Sequence, residues 1–123
     1  MSFSSQNKLK SKADIDLVFS KGTFLKVSGF SLVYREQDPK GSSGFRVGFS
    51  IGKKMQPRAV DRNKTKRIMR ESFRLFFPKT FSPSSVNYDF MIVCSEKTVP
   101  SFALVSDKIK SLLLSFAEIV KNG

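Results

Sequence analysis

The chain has no histidine and no tryptophan, and it carries one cysteine, Cys94, in 123 residues. Without histidine the commonest general base and metal ligand are gone, and with them any Ser-His or Cys-His catalytic pair. A lone cysteine can form no intramolecular disulfide, which fits a reducing compartment, and Cys94 lies in an apolar run where a small core residue is expected. Acids are scarce: 10 Asp and Glu stand against 22 Lys and Arg, a formal net charge of +12. Asp14, Asp16, Asp61, Glu71 and Asp89 are dispersed over different elements, so the carboxylate cluster of a two-metal nuclease is not expected. There is no Gly-rich phosphate loop running into Lys-Ser or Lys-Thr, and no zinc-ligand spacing. Residues 1–10 lack the apolar centre of a signal peptide and no run approaches a membrane span, so a cytoplasmic protein is expected. Catalysis by the polypeptide alone is not expected.

What is present is positive charge, and it is concentrated. Such a charge on a small chain implies a polyanionic partner: RNA, DNA or an acidic membrane surface, with nucleic acid the first expectation. Between Lys53 and Arg74 lie Lys53, Lys54, Arg58, Arg62, Lys64, Lys66, Arg67, Arg70 and Arg74, opposed only by Asp61 and Glu71. As a helix from about Ala59, this stretch puts Arg62, Lys66, Arg70 and Arg74 along one side with Asn63 and Arg67 beside them. Thr65, Ile68, Met69, Ser72, Phe73 and Phe76 form the opposite, packing stripe. A solvated helix charged only for solubility is the alternative. Against it, arginine outnumbers lysine on the row, its planar fork suits phosphate oxygens, and two acids cannot neutralise the row by i,i+4 pairing.

The rest of the chain supplies a support for that helix. Residues 1–10 read as flexible and basic. Ser11 with Asp14 offers a capping-box variant, Ile15, Val18 and Phe19 follow at helical spacing, and Gly22 ends this first helix as a C′ residue. Thr23–Val27 and Phe30–Tyr34 are short strands, the latter with Phe30, Leu32 and Tyr34 on one side and Ser31 and Val33 on the other. Residues 36–44 are turn-rich and are the expected hairpin loop. Phe45–Ile51 is the clearest strand, with Phe45, Val47, Phe49 and Ile51 facing one way and Arg46, Gly48 and Ser50 the other. Gly48 leaves room for a ligand there, although a bulge or a close contact is the commoner reason for a strand glycine. The basic helix is expected to stop near Phe76, before Pro78. Tyr88–Cys94 reads as a central strand, and after Pro100 Ser101 caps a last helix with Phe102, Val105, Ile109, Leu112, Leu113, Phe116, Ile119 and Val120 on its apolar face. The expected fold class is α+β, a small mixed sheet packed with helices in the order αβββαβα, forming one RNA-binding domain over residues 1–123 with 1–8 flexible. Phe19, Phe30 and Tyr34 are candidate stacking faces for unpaired bases, with core packing as the alternative for each.

Phe45-Arg46-Val47-Gly48-Phe49-Ser50-Ile51-Gly52-Lys53-Lys54, then Ala59-Val60-Asp61-Arg62-Asn63-Lys64-Thr65-Lys66-Arg67 and Arg70-Glu71-Ser72-Phe73-Arg74, closely resemble the bacterial ribonuclease P protein component. Val18-Phe19 with Lys21-Gly22-Thr23 upstream, and Tyr88-Asp89-Phe90-Met91-Ile92-Val93 downstream, fall in the matching order. The resemblance covers roughly Lys8 to Leu114. It implies a ribosomal-protein-like sandwich with a left-handed βαβ crossover, and a subunit that joins a catalytic RNA to remove the 5′ leader from precursor tRNA. The enzyme is then a ribonucleoprotein endoribonuclease, with the RNA subunit and its Mg2+ performing the hydrolysis. The implied partners are ribonuclease P RNA and precursor tRNA, one protein per RNA, with no membrane.

By the same resemblance Lys53, Lys54, Arg62, Asn63, Lys64, Lys66, Arg67, Arg70 and Arg74 meet the catalytic RNA, and Asn63 helps order a metal. Ile15, Phe19, Phe30, Tyr34, Arg46 and Ser50 line a cleft for the single-stranded leader. Three positions depart from the family pattern. Lys64 stands where a second arginine is usual, Ile15 where an aromatic is frequent, and Cys94-Ser95 where a small residue and arginine are common.

Overall fold

Strict alternation of large apolar with small or polar side chains gives Phe45–Ile51 two unlike faces, and the architecture follows from what covers each. In the computed structural model residues 8–9, 11–37, 45–80 and 88–122 are described. The elements are α1 (Lys12–Lys21), β1 (Thr23–Val27), β2 (Phe30–Glu36), β3 (Phe45–Ile51), α2 (Ala59–Thr80), β4 (Tyr88–Cys94) and α3 (Phe102–Asn122). One sheet runs β1-β2-β4-β3, antiparallel except for the parallel β3–β4 pair, so α2 is the crossover between parallel neighbours. The mixed sheet and the αβββαβα order are those expected.

One sheet face carries Phe30, Leu32 and Tyr34 of β2, Phe90, Ile92 and Cys94 of β4, and Phe45, Val47, Phe49 and Ile51 of β3. α2 and α3 close over it with Met69, Phe73, Phe77, Val105, Ile109, Leu112, Leu113 and Phe116. The rings interlock: Phe73 stacks on Phe77 with centroids 4.8 Å apart, and Phe116 meets Phe90 edge-on at 4.9 Å. Each fully buried side chain of this kind contributes about 1.5–3 kcal/mol, so this face dominates stability. α1 covers the other face through a smaller cluster of Leu9, Val18, Val33 and Met91, with Ile15 and Phe19 partly buried against it.

Local chemistry explains the ends of these elements. The Ser11 hydroxyl accepts from the Asp14 N–H at 3.4 Å, capping α1, and Ser101 accepts from Leu104 at 3.2 Å at the start of α3. Gly22 ends α1 in extended backbone, φ −79°, and not in the left-handed conformation expected of a C′ glycine. Its lack of a side chain serves close approach instead, since a Cβ there would run into the carbonyl oxygens of Val18 and Tyr34. The left-handed glycine is Gly29, φ 83°, which turns β1 into β2.

Four expectations are corrected. β2 and β3 are not hairpin partners, because β4 lies between them; residues 38–44 of that connection fall outside the described residues. α2 continues past Phe76 to Thr80. Pro78 withdraws one ladder donor in the last turn, and burial of Phe73 and Phe77 outweighs that loss. Leu9 does not belong to a flexible tail: it is buried, and its N–H donates to Val47 O at 3.0 Å on the outer margin of β3; residues 1–7 fall outside the description. Finally, the core spans α3 from Val105 to Phe116 with Val120 at its margin, while Phe102 and Ile119 lie outside it and stay exposed.

Candidate nucleic-acid interface

The basic helix keeps the orientation that its periodicity demands. Thr65, Met69, Ser72, Phe73 and Phe77 are buried, which turns Asn63, Lys64, Arg67, Arg70 and Arg74 to solvent. An open depression of about 530 Å³ lies along the exposed side, lined by Val60, Asn63, Lys64, Lys66, Arg67 and Arg70. Lys53 and Lys54 are exposed on the turn before the helix, where Gly52 O accepts from the Met55 and Gln56 N–H groups at 3.0 and 3.1 Å.

Two arginines of the row are engaged elsewhere. Arg62 is half-buried and donates through Nη1 to the carbonyls of Gln56 and Pro57 at 2.9 and 2.8 Å, so it fastens the turn to the first coil of α2. Arg74 pairs with Glu71 at 2.6 Å, a surface i,i+3 contact of little energetic weight. The exposed cationic centre is thus Lys64, Arg67 and Arg70, with Asn63 among them.

The α1 face of the sheet presents a different surface. Register places Ser31, Val93 and Ser50 in one row across β2, β4 and β3, with Lys26 of β1 opposite Ser31. These side chains are partly or fully accessible and small, apart from Lys26, so the row forms a low floor on the sheet face against which Phe19 and Ile15 also pack, through Val33 and Met91. Phe30 and Tyr34 cannot share this floor. Side chains alternate along β2, so both point into the α2–α3 core: Phe30 is buried, and the Tyr34 ring lies 4.9 Å from Phe116. Of the six residues expected in a cleft, Ile15, Phe19, Arg46 and Ser50 are on this face and Phe30 and Tyr34 are not.

Arg46 is on this face but committed. Its Nε and Nη2 donate to the two oxygens of Asp89 at 2.8 and 2.7 Å, and Nη1 reaches Asp14 of α1 at 3.0 Å. Gln37 completes the cluster by donating to Asp89 at 2.9 Å. Asp89, first by hydrogen bonding and then by its charge, raises the Arg46 pKa beyond its ordinary value although burial opposes this. Arg46 is a strut between α1 and the sheet. Gly48 on the same strand sits against Met91 and the Leu9 backbone, so its missing side chain serves packing.

Residues 3–117 match the family described as Ribonuclease P. The chain belongs to the ribonuclease P family. It is 33% identical over 93 residues to the ribonuclease P protein component of Histophilus somni, covering 76% of this chain and 71% of that protein. Identity to the component from Chlorobaculum tepidum is 42% over 69 residues, which is 54% of this chain and 45% of that one. The chain thus spans about half the length of that relative, and 60% of the Legionella pneumophila component. The RNase P protein of Thermotoga maritima superposes with a TM-score of 0.70 at 26% identity, covering 88% of this chain and 96% of that chain. The Staphylococcus aureus RNase P protein, with a TM-score of 0.72 at 22% identity over 94% and 95% of the two chains, shares the fold.

Within this ribonuclease P family chain, sequence reading missed several residues of the site. Ser31, Val93 and Lys26 on the α1 face were detectable in principle, since alternation already set Ser31 and Val33 apart from Phe30 and Tyr34. Gln56 was not, because nothing local marks an amide in a turn as buried. It is 1% exposed, donates to the carbonyls of Glu96 and Thr98 at 3.0 and 3.2 Å, and accepts from the Thr65 hydroxyl at 2.8 Å. Cys94 is buried in the core as its apolar surroundings implied, and burial pushes its thiol pKa up, away from reactivity.

Proposed function

We propose that this chain is the protein subunit of a ribonucleoprotein ribonuclease P, which removes the 5′ leader of precursor tRNA. The observation that carries this reading is the exposed group Lys64, Arg67 and Arg70 with Asn63 around one open depression, on a family member with a net charge of +12. In this reading the ridge, extended by Lys53, Lys54, Lys66 and the remaining donors of Arg62 and Arg74, binds the catalytic RNA. The single-stranded leader lies on the α1 face against Phe19, Ile15 and Ser50, with Phe19 as the stacking ring.

The protein acts through charge and shape. Leader and catalytic RNA are both polyanions and repel each other. Cations presented to both relieve that repulsion and release counterions, which raises affinity without entering the bond-breaking step. Hydrolysis belongs to the RNA subunit and the Mg2+ it holds. Asn63 offers one neutral oxygen among cations, enough to hydrogen-bond a water of an RNA-held ion and too little to hold Mg2+ alone. Among the described residues no helix is long and apolar enough to cross a membrane. In this reading the protein works in the cytoplasm, one copy per RNA.

The test is cleavage of a precursor tRNA at low Mg2+ by the protein alone, by ribonuclease P RNA alone, and by the two together. Efficient removal of the leader is expected only from the mixture. Cleavage by the protein alone, or a mixture no better than the RNA, overturns the proposal.

A further inference from the structure

Gln56 occupies the junction of two turns at one end of the sheet. It lies in the β3–α2 turn, two residues after Lys54, and its side chain is almost wholly enclosed. Its amide nitrogen donates to the carbonyls of Glu96 and Thr98, the residues on either side of Lys97 in the β4–α3 turn. Its amide oxygen accepts from Thr65 on the buried stripe of α2. All three polar capacities of one side chain are therefore used to join α2 and two turns that are far apart in sequence. An apolar residue here would leave the Glu96 and Thr98 carbonyls without this donor, a cost in a partly enclosed site, while the Thr65 hydroxyl would keep Asp61 O as its acceptor at 3.0 Å. Arg62 reinforces the joint by donating to the backbone of Gln56 and Pro57.

The joint has a consequence for charge. Lys53 and Lys54 are exposed on one turn, and Lys97 is exposed on the other. With the carbonyls flanking Lys97 held by Gln56, that lysine has a fixed backbone position against the turn that carries Lys54. We propose that Gln56 is a positioning residue that fuses the two turns into one phosphate-binding surface, and that Lys97 is a further RNA contact on it. This rests on the functional reading above and extends the ridge from α2 onto the β4–α3 turn.

The experiment measures affinity of the full chain for a ribonuclease P RNA transcript across a salt series, for the parent, Lys54→Ala, Lys97→Ala, Gln56→Met and the Gln56→Met/Lys97→Ala double variant, with thermal unfolding alongside. Lys97→Ala should lower the slope of log affinity against log salt by about 0.7–1, the loss of one phosphate contact, with Tm unchanged. Gln56→Met should lower Tm and weaken binding, and in its background Lys97→Ala should have less than half its effect on the slope. A structural role alone would lower Tm and leave the Lys97 increment intact. Additive effects, or a Lys97→Ala slope equal to the parent's while Lys54→Ala lowers it, overturn this inference alone. A parent chain whose binding to the transcript does not depend on salt overturns the inference and the functional reading together.

Discussion

Replacing Arg46 by methionine separates a strut from a ligand contact. Asp89 is 2% exposed at its side chain and Arg46 27%, so the substitution strands a buried carboxylate with Gln37 as its remaining side-chain partner. Breaking a buried pair from one side costs about 3–5 kcal/mol, and the partial exposure of Arg46 brings the expectation here to about 2–4 kcal/mol. Against a total stability of roughly 5–15 kcal/mol, that is a large fraction. Urea unfolding should show a midpoint lower by roughly 1–2 M at an unchanged slope. Asp14→Asn removes the outer arm, whose carboxylate is 35% exposed, and should cost less than about 1 kcal/mol. Removing both buried charges together, as Arg46→Met with Asp89→Leu, should restore most of the loss, because the penalty lies in the unpaired carboxylate. If Arg46→Met leaves stability within about 0.5 kcal/mol of the parent while leader affinity falls, the strut is wrong and Arg46 touches RNA.

Three further outcomes are expected. Arg67→Ala should lower the salt slope of catalytic-RNA binding by about one with little change in stability, whereas Arg62→Ala should first lower stability, because its donors hold the carbonyls of Gln56 and Pro57. Phe19→Ala should weaken binding of leader-bearing precursor by roughly 1–3 kcal/mol and spare leaderless tRNA; Phe30→Ala, emptying a core site, should cost about 3–5 kcal/mol of stability. Burial raises the pKa of Cys94, so the folded state favours the protonated thiol: its contribution is complete below the unfolded thiol's value, about 8.5, and is lost as pH rises past it. Stability should therefore decline on the alkaline side, with the similarly raised Tyr88 adding at higher pH, and Cys94 should react with a thiol reagent only on unfolding.

The periodic parts of this fold were legible because their signals are local. Alternation located β3 to the residue, a nearly continuous apolar run located β4, Ser11 and Ser101 announced two helix starts, and the helical period of the basic stretch set its packing stripe against its cationic one. Pairing order is not local: nothing in residues 36–44 says that β4, far downstream, will separate β2 from β3. Arg46 illustrates the same limit in the site. Its charge reads as an invitation to phosphate until register sets it opposite Asp89. Phe30 and Tyr34 were misassigned for a simpler reason, since strand parity already put them on the side away from Ser31. Gln56 and Leu9 needed three dimensions, because each is buried by neighbours distant in sequence.

Leu9 also matters to anyone trimming this chain. By lying along β3 it occupies backbone that would otherwise greet a strand from a neighbouring molecule. A version beginning at Ser11 would keep the α1 cap and the helices and strands after it yet lose that guard, and would be prone to stack edge to edge in concentrated solution.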